Sequence, residues 1–424
     1  MTGILTDLYE LTMAAGYFEA GKSAEWGAFE LSIRRLPKHR EYVLLAGLQQ
    51  ALEYLLTLRF TGEEIAYLRA LPQFARVSNG FFERLREFRF TGDVWAAPEG
   101  TVLFAGEPIM TVRAPLMESQ IPETYLLSTL TFQTLIATKA SRMVQRAAGR
   151  GVVEFGTRRA HTPEAGVLGA RAAYIGGCIG TSNTLAGLRF GIPVMGTCAH
   201  SWVMSFASEM DAFRALQKLL GPHTIQLVDT YDPVEGARRA AEVGRPLWGI
   251  RLDSGDFLTH SKEARAILDG AGLRDVKIMA SGDLDEWRIA ELIAAGAPID
   301  AFGVGTELAT SGDAPSMGAI YKLVEVNGRD TAKWSEDKTS LPGSKQLFRF
   351  ADRDVLALAS EPLPQGAEPL LQQVIVKGQL VETGPSLEAI RERAAQSLRD
   401  VAPRPVEHSG ALTALMDRVR SERK

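Results

Sequence analysis

Six short apolar segments between residues 151 and 310, each ending in polar residues, constrain the fold of this chain most strongly. They read GVVEFGT, GIPVMGTCAH, TIQLVDTYD, LWGIRLDSGD, VKIMASGDLD and IDAFGVGTEL. Polar or glycine-rich turns and then helical patterns follow the segments. Strands that alternate with helices pair in parallel, so the pattern predicts an α/β sheet or barrel. In such folds the carboxyl ends of the strands carry the chemistry.

The flanking sequence follows other patterns. Helical spacing of apolar residues occurs over 5–20, 41–56 and 119–150, and Pro-Glu-Gly and Gly-Glu-Pro turns predict a small antiparallel β-unit over 92–115. Beyond residue 320 we expect a polar loop, further short strands over 355–380 and an amphipathic helix at SLEAIRERAAQSLRD. The predicted domains are an N-terminal α/β domain (1–130), an α/β barrel (131–330) and a C-terminal segment that returns to the N-terminal domain (331–424).

Composition excludes several classes of function. A chain of 424 residues with net charge −4 is long enough for two or three domains and offers no basic field for nucleic acid. Its two cysteines, Cys178 and Cys198, lie in no CxxC or CxxH cluster, so we expect reduced thiols in the cytoplasm rather than a zinc site. Asp7 and Glu10 interrupt an N-terminus that has no basic region, which argues against a signal peptide. No run of 18 apolar residues occurs, so no membrane span is expected.

The polar strand ends have a common chemical logic. Glycines and small hydroxyl residues let backbone N–H groups approach phosphate, arginine forks match carboxylates or phosphates, and aspartates hold ribose hydroxyls or Mg²⁺. The residues concerned are Arg158, Arg159, His161, Thr181, Ser182, Asn183, Arg251, Asp253, Ser254, Asp256, Ser281, Gly282, Asp283, Gly303, Gly305 and Thr306. Taken singly, each cluster could be only a turn, the arginines could be surface charges, and His200 could be a hydrogen-bonded core histidine at the end of a buried strand. Together, at converging strand ends, they fit an anionic sugar-phosphate ligand.

The order of these motifs resembles the nicotinate phosphoribosyltransferases, a family with the type-II phosphoribosyltransferase fold. The matching stretches are TDLYELTMAAGYF, FGTRRAH, GTSNTLAG, GTCAHSW, LVDTYD, RLDSGD, SGDLDE, FGVGTELATS and EDKTSLPGSKQLFR. The resemblance implies an N-terminal α/β domain joined to an irregular α/β barrel, and a homodimer whose active sites are shared between subunits. It also implies ATP-assisted synthesis of nicotinate mononucleotide and pyrophosphate from nicotinate and phosphoribosyl pyrophosphate, in NAD salvage, with Mg²⁺ whose ligands stay undetermined.

The resemblance also implies a role for individual residues. His200 matches the histidine that ATP phosphorylates, and Tyr9 matches a tyrosine that stacks on the pyridine ring from the partner subunit. The remaining assignments are Arg158 beside the pyridine, Thr197 and Arg251 at nicotinate, Asp253, Gly282 and Asp283 at ribose, and Gly305 and Thr306 at the 5′-phosphate.

Ser182 bears on the choice of substrate. The related nicotinamide phosphoribosyltransferases have an aspartate at this position, which would accept from an amide and repel a carboxylate, whereas serine can donate to a carboxylate. Nicotinate is therefore the expected base. The alternatives are a nicotinamide phosphoribosyltransferase, a quinolinate phosphoribosyltransferase, although that family is shorter, and a catalytically inactive barrel that senses nucleotides.

Overall fold

The computed structural model describes residues 2–335, 339–399 and 401–422. Within the motif EDKTSLPGSKQLFR, the expectations for Glu336, Asp337 and Lys338 lie outside the described residues. The helices are α1 (Leu8–Glu19), α2 (Leu48–Thr57), α3 (Gly62–Ala70), α4 (Asn79–Arg86), α5 (Leu116–Gln120), α6 (Glu123–Arg146), α7 (Pro163–Ile175), α8 (Thr184–Phe190), α9 (His200–Met204), α10 (Glu209–Leu220), α11 (Pro233–Val243), α12 (Phe257–Gly270), α13 (Glu286–Ala294), α14 (Thr306–Ala309), α15 (Leu387–Ser397) and α16 (Gly410–Ser421).

The strands of the described residues belong to several sheets. They are β1 (Trp26–Arg35), β2 (Val43–Leu44), β3 (Asp93–Ala96), β4 (Val102–Leu103), β5 (Pro108–Pro115), β6 (Gly151–Glu154), β7 (Gly180–Thr181), β8 (Ile225–Leu227), β9 (Gly249–Leu252), β10 (Lys277–Ser281), β11 (Ala301–Val304), β12 (Gly318–Val326), β13 (Arg329–Asp330), β14 (Lys345–Arg349), β15 (Asp354–Leu358), β16 (Glu368–Pro369), β17 (Gln372–Val376), β18 (Gln379–Leu380) and β19 (Val406–His408).

The chain forms two compact units. The flanking unit contains Met1–Leu135 and Ser316–Lys424, and the central unit contains Ile136–Pro315. The first boundary lies inside α6, whose continuous 24 residues give the sequence no local sign of a division. The predicted domain limits at residues 130 and 330 stay a prediction.

The flanking unit is built on an antiparallel sheet in the order β13-β12-β1-β5-β3-β17-β18. The predicted β-unit over 92–115 is confirmed, because β3 and β5 pair antiparallel. The strand β12, which is distant in sequence, pairs with β1 over most of its length. The apolar core of this unit includes Leu31, Ile33 and Val112, each with 0% of its surface exposed.

The central unit contains the parallel strands, in the order β7-β6-β11-β10-β9-β8. Helices α7, α8, α11, α12, α13 and α14 each follow one of these strands along the chain. The expected fold, an irregular α/β barrel with an N-terminal α/β domain, is confirmed. Val153, Met279 and Ala301 form a small buried core within the unit. In the described part of the chain, no helix combines the length and the apolar character needed to cross a bilayer.

Candidate active site

The carboxyl edge of the parallel sheet brings the polar clusters of the central unit together. In the register of the sheet, Glu154 lies opposite both Thr181 and Val304, and Ser281 lies opposite Gly303. Because parallel strands in register end at one edge, the turns that follow β6, β7, β10 and β11 lie side by side. Chemistry-bearing residues from distant parts of the sequence therefore share one edge.

Arg251, on β9, is the centre of a hydrogen-bond network at this edge. Only 9% of the residue is exposed, and its guanidinium donates to Asp253 Oδ1 at 3.0 Å, Ser281 Oγ at 3.2 Å and the Cys198 carbonyl at 3.0 Å. Its Nε is buried and has no hydrogen-bond partner among the described residues. Buried donors are almost always satisfied in folded proteins. Three of the five guanidinium N–H groups are therefore used within the protein, and the unpartnered Nε is one of the two that remain.

The predicted strand GIPVMGTCAH is wrong. Within it only Val194 forms a β-bridge, to Thr181, and His200 instead begins helix α9. Pro193 has no N–H to donate to a ladder, and Gly191 ends α8 in the left-handed region at φ +71°. The apolar run therefore passes the sheet as an extended segment.

His200 is oriented by two polar partners. Its Nδ1 lies 3.2 Å from Thr230 Oγ1, and its Nε2 lies 3.6 Å from Asp253 Oδ2. The side chain is 38% exposed, which does not fit a packed core histidine. The imidazole is therefore both accessible and fixed beside the Arg251–Asp253 pair.

Asp229 is a site residue that the sequence did not single out. Its Oδ2 accepts hydrogen bonds from Asp253 N at 2.7 Å and Ser254 Oγ at 2.8 Å, which fixes the turn after β9. Its Oδ1 is buried and has no hydrogen-bond partner in the described part of the chain. The available signal was the position of Asp229, directly after the apolar run of TIQLVDTYD.

The turn after β10 requires a glycine. Gly282 has φ +98°, and a Cβ at this position would lie 2.2 Å from the Asp253 carbonyl oxygen. Asp283, which follows it, also has a positive φ of 47° and is exposed. The backbone thus approaches the Arg251–Asp253 network closely and presents the Asp283 carboxylate to solvent.

The turn after β11 packs on the turn after β6. Gly305 precedes the short helix α14, and a Cβ on Gly156 would lie 2.8 Å from the Gly305 carbonyl oxygen. Thr306 is exposed at the start of α14. The two turns are therefore in close backbone contact, and the exposed Thr306 follows that contact directly.

The turns after β6 and β7 are joined by Glu154, a second residue that sequence reasoning missed. This buried carboxylate accepts hydrogen bonds from Gly156 N and from the Thr181 hydroxyl, and burial raises its pKa. An acid in the apolar run GVVEFGT was the available signal. Ser182, half-buried, follows Thr181 directly, whereas Arg158 is exposed in the turn after β6.

Thr197 and the two cysteines lie in different surroundings. The Thr197 hydroxyl donates to the Cys198 carbonyl at 3.0 Å, the same oxygen that accepts from Arg251. Burial raises the pKa of the Cys198 thiol, and Cys178 is fully buried. Among the described residues, no group of three or more histidines, cysteines and acids is arranged to hold a metal ion.

Tyr9 belongs to the flanking unit and is described there by itself. It lies in the first turn of α1 with 46% of its surface exposed. Burial of its hydroxyl and the neighbouring Glu123 carboxylate raise the pKa of Tyr9. Beside it, burial raises the pKa of Glu10 to about 8, although Thr124 N donates to Glu10 at 2.9 Å. The hydroxyl of Tyr9 therefore lies beside a carboxylate, while nearly half of the residue is exposed.

Two family models match this chain, one in each of its two units. Residues 4–131 match the family model described as the nicotinate phosphoribosyltransferase N-terminal domain, and residues 136–314 match that of the quinolinate phosphoribosyl transferase C-terminal domain. These two ranges follow the same order as the motifs found in the sequence.

Curated relatives and a solved structure agree with these matches. Nicotinate phosphoribosyltransferase pncB2 of Mycobacterium tuberculosis is 43% identical over 99% of this chain and 92% of its own length. The nicotinate phosphoribosyltransferase of Bacillus subtilis is 45% identical over 82% of this chain and 73% of its own length. The crystal structure of human nicotinic acid phosphoribosyltransferase superposes with a TM-score of 0.85 at 30% identity, covering 98% of this chain and 100% of that one. This chain belongs to the nicotinate phosphoribosyltransferase family.

Proposed function

We propose that this chain transfers the phosphoribosyl group of phosphoribosyl pyrophosphate to the ring nitrogen of nicotinate, a step of NAD salvage. The products are nicotinate mononucleotide and pyrophosphate. The observation that carries the proposal is the buried Arg251 fork, which Asp253, Ser281 and the Cys198 carbonyl hold beside His200 while its Nε has no partner among the described residues. The names of the curated relatives support the same activity.

The reaction needs positioning and charge more than covalent chemistry on the sugar. The ring nitrogen attacks the anomeric carbon while the bond from that carbon to the pyrophosphate oxygen breaks, through an oxocarbenium-like transition state. Fixed dipoles and charges stabilise such a state without reorganising. In our assignment the ligand groups are held by Thr197, Arg251 and Arg158 (nicotinate), Asp253, Gly282 and Asp283 (ribose), and Gly305 and Thr306 (5′-phosphate).

The donors at the edge favour a carboxylate on the pyridine. Arg251 brings a fixed positive charge to this edge, and Ser182 can rotate its hydroxyl to donate. The nicotinamide alternative would favour an aspartate in place of Ser182, because an aspartate accepts from an amide and repels a carboxylate. Quinolinate, with two carboxylates, is the other alternative, because the central unit matches the quinolinate enzyme's C-terminal domain.

We further propose that ATP phosphorylates His200. The Asp253 carboxylate near Nε2 favours a proton on that nitrogen, which leaves Nδ1 as the nucleophile beside Thr230. Attack forms an N–P bond to the γ-phosphorus and breaks its bond to the bridging oxygen, so ADP leaves. Later hydrolysis of the phosphoramidate would couple ATP to product formation, the ligase-type behaviour implied by the family.

The residues beside His200 also fit a magnesium ion shared with the substrate. Mg²⁺ commonly takes one or two protein carboxylates and completes its shell with substrate phosphates and water. The unpartnered Oδ1 of Asp229 and the adjacent Asp253 are such carboxylates and would hold the ion. Mg²⁺ would neutralise charge on the leaving pyrophosphate.

A homodimer with shared sites is the assembly that we propose. Both units expose several large apolar side chains, and such side chains mark interaction surfaces when they are contiguous. In the flanking unit they are Leu5, Leu8, Tyr9 and Met13, and in the central unit Leu185, Leu188, Val194 and Met204. The first group contains Tyr9, and the second lies close in sequence to Ser182 and His200, so a partner that covers them would lie near proposed substrate residues. The cytoplasmic location expected from the cysteine usage stays a prediction.

Tyr9→Ala is expected to raise the KM for nicotinate about fivefold, since an aromatic stacking contact contributes on the order of 1 kcal/mol. Tyr67→Ala, at a similarly exposed tyrosine on α3, is the control and is expected to behave as wild type. Steady-state kinetics measure both effects.

Mixing Tyr9→Ala subunits with Arg251→Lys subunits is expected to restore activity through hybrid sites. No recovery after confirmed subunit exchange would contradict a shared site.

The activity is tested by pyrophosphate release from phosphoribosyl pyrophosphate and Mg²⁺. Nicotinate, nicotinamide and quinolinate are supplied separately, with and without ATP. We expect release with nicotinate, faster when ATP is present. If pyrophosphate is released only with nicotinamide or only with quinolinate, that base replaces nicotinate as the substrate. Nucleotide binding without any turnover would favour the inactive sensor.

A further inference from the structure

A nearly dry cluster of four charges lies in the central unit, outside the proposed substrate contacts. Lys139 Nζ lies 2.6 Å from Glu286 Oε2 and 2.9 Å from Asp313 Oδ1. Arg142 lies 3.0 Å from a carboxylate oxygen of each of the same two acids. The side chains of Lys139, Glu286 and Asp313 are 0%, 2% and 7% exposed. The Trp287 ring, whose centroid is 4.8 Å from Lys139 Nζ, covers the cations.

Stability alone does not account for this cluster. Burying four charges has a desolvation cost that their mutual attraction offsets only when the geometry is good, and apolar replacements of such groups are often equally stable. Buried ionic groups are best attested where they fix one arrangement among several. The structural role of the cluster is therefore inferred from the segments that it joins.

The two acids lie just beyond the two substrate turns. Glu286 is the first residue of α13, three positions after Asp283, and Asp313 follows the helix that Thr306 begins. The ribose turn contains backbone that needs support. Gly282 and Asp283 both have positive φ. A residue other than glycine, such as Asp283, persists in that region only when its surroundings hold it.

We infer that Lys139 is a positioning residue that, through Glu286 and Asp313, sets the turns holding the ribose and the 5′-phosphate. At its near end the ribose turn is fixed by Ser281, which is bonded to Arg251 and Asp253. At the far end of the ribose turn, Glu286 pairs with Lys139 and so fixes the turn to α6. Lys139 also pairs with Asp313, which fixes the chain after the phosphate turn to the same helix. This inference rests on the proposed function, because it assigns the turns to those ligand groups.

The test compares Lys139→Met with Arg265→Met in the same unit. Arg265, on α12, donates to Asp269 and to the Val276 and Leu273 carbonyls, near the amino end of β10 and away from the substrate edge. Both variants are expected to lower the Tm. Only Lys139→Met is expected to raise the KM for phosphoribosyl pyrophosphate, roughly tenfold, because misplacing a site by about 1 Å has effects of that order or larger. The KM for nicotinate at saturating phosphoribosyl pyrophosphate is expected to stay near the wild-type value.

A second variant guards against loss of folding. Lys139→Met combined with Asp313→Asn restores charge balance in the cluster and is expected to show the same KM effect. A normal KM for phosphoribosyl pyrophosphate in the folded variants, or an equal rise in Arg265→Met, would overturn the positioning role of Lys139 and leave the proposed function standing. A wild-type protein that does not use phosphoribosyl pyrophosphate would overturn the proposed function and this inference with it.

Discussion

Arg251→Lys is expected to lower kcat/KM for nicotinate by about 10²-fold or more, the scale seen when one preorganised donor is removed from a reaction site. Lysine keeps the positive charge but has neither the planar fork nor the reach to bind Asp253, Ser281 and the Cys198 carbonyl together. The buried acceptors would then lose their partner, so both the ligand contact and the turn after β9 are affected.

Arg245→Lys is the matched control. Arg245 lies in the same unit and pairs with Asp275, but both side chains are more than half exposed, and exposed ion pairs contribute little to stability. Wild-type kinetics are expected for Arg245→Lys. If Arg251→Lys also matches wild type, while circular dichroism shows both variants folded, the fork has no part in the reaction.

His200→Asn is expected to abolish two signals together. Wild-type protein incubated with γ-labelled ATP and Mg²⁺ is expected to take up an acid-labile, base-stable label, as a phosphoramidate does, and to hydrolyse ATP faster when nicotinate is present. Asparagine cannot form this bond, yet it can keep a hydrogen bond to Thr230 or Asp253, so folding is expected to survive. Transfer without ATP is expected to continue at a low rate, since the sugar displacement does not use the imidazole as nucleophile.

His161→Asn serves as the control for labelling. His161 is exposed and close in sequence to Arg158, a proposed pyridine contact. The label is expected to stay on this variant. Label that persists on His200→Asn, or none on wild type during turnover, would contradict the phosphohistidine mechanism.

Local sequence pattern was sufficient for the strands that carry the site. β6, β8, β9, β10 and β11 lie within predicted apolar runs, because a buried parallel strand needs apolar residues on both faces. The pattern failed at His200. The run before it is equally apolar, but Pro193 cannot donate to a ladder, and the histidine begins a helix instead of ending a strand.

Other parts of the site depend on contacts that no local pattern encodes. Asp229 and Glu154 are single buried acids whose partners come from other strand ends, so neither forms a cluster in the sequence. Lys139 meets Glu286 and Asp313 only after the central unit has folded. Likewise, the pairing of β12 with β1 joins segments that lie almost 300 residues apart, and neither segment indicates its partner.

The most direct test of the central claim is a competition between two bases. Purified protein is given phosphoribosyl pyrophosphate, Mg²⁺, ATP and equal amounts of nicotinate and nicotinamide, and the products are separated by anion exchange and identified by mass spectrometry. The fixed Arg251 fork and Ser182 predict nicotinate mononucleotide as the dominant product, with its formation strongly reduced in Arg251→Lys. Preferential formation of nicotinamide mononucleotide, or no nucleotide from either base, would contradict the account.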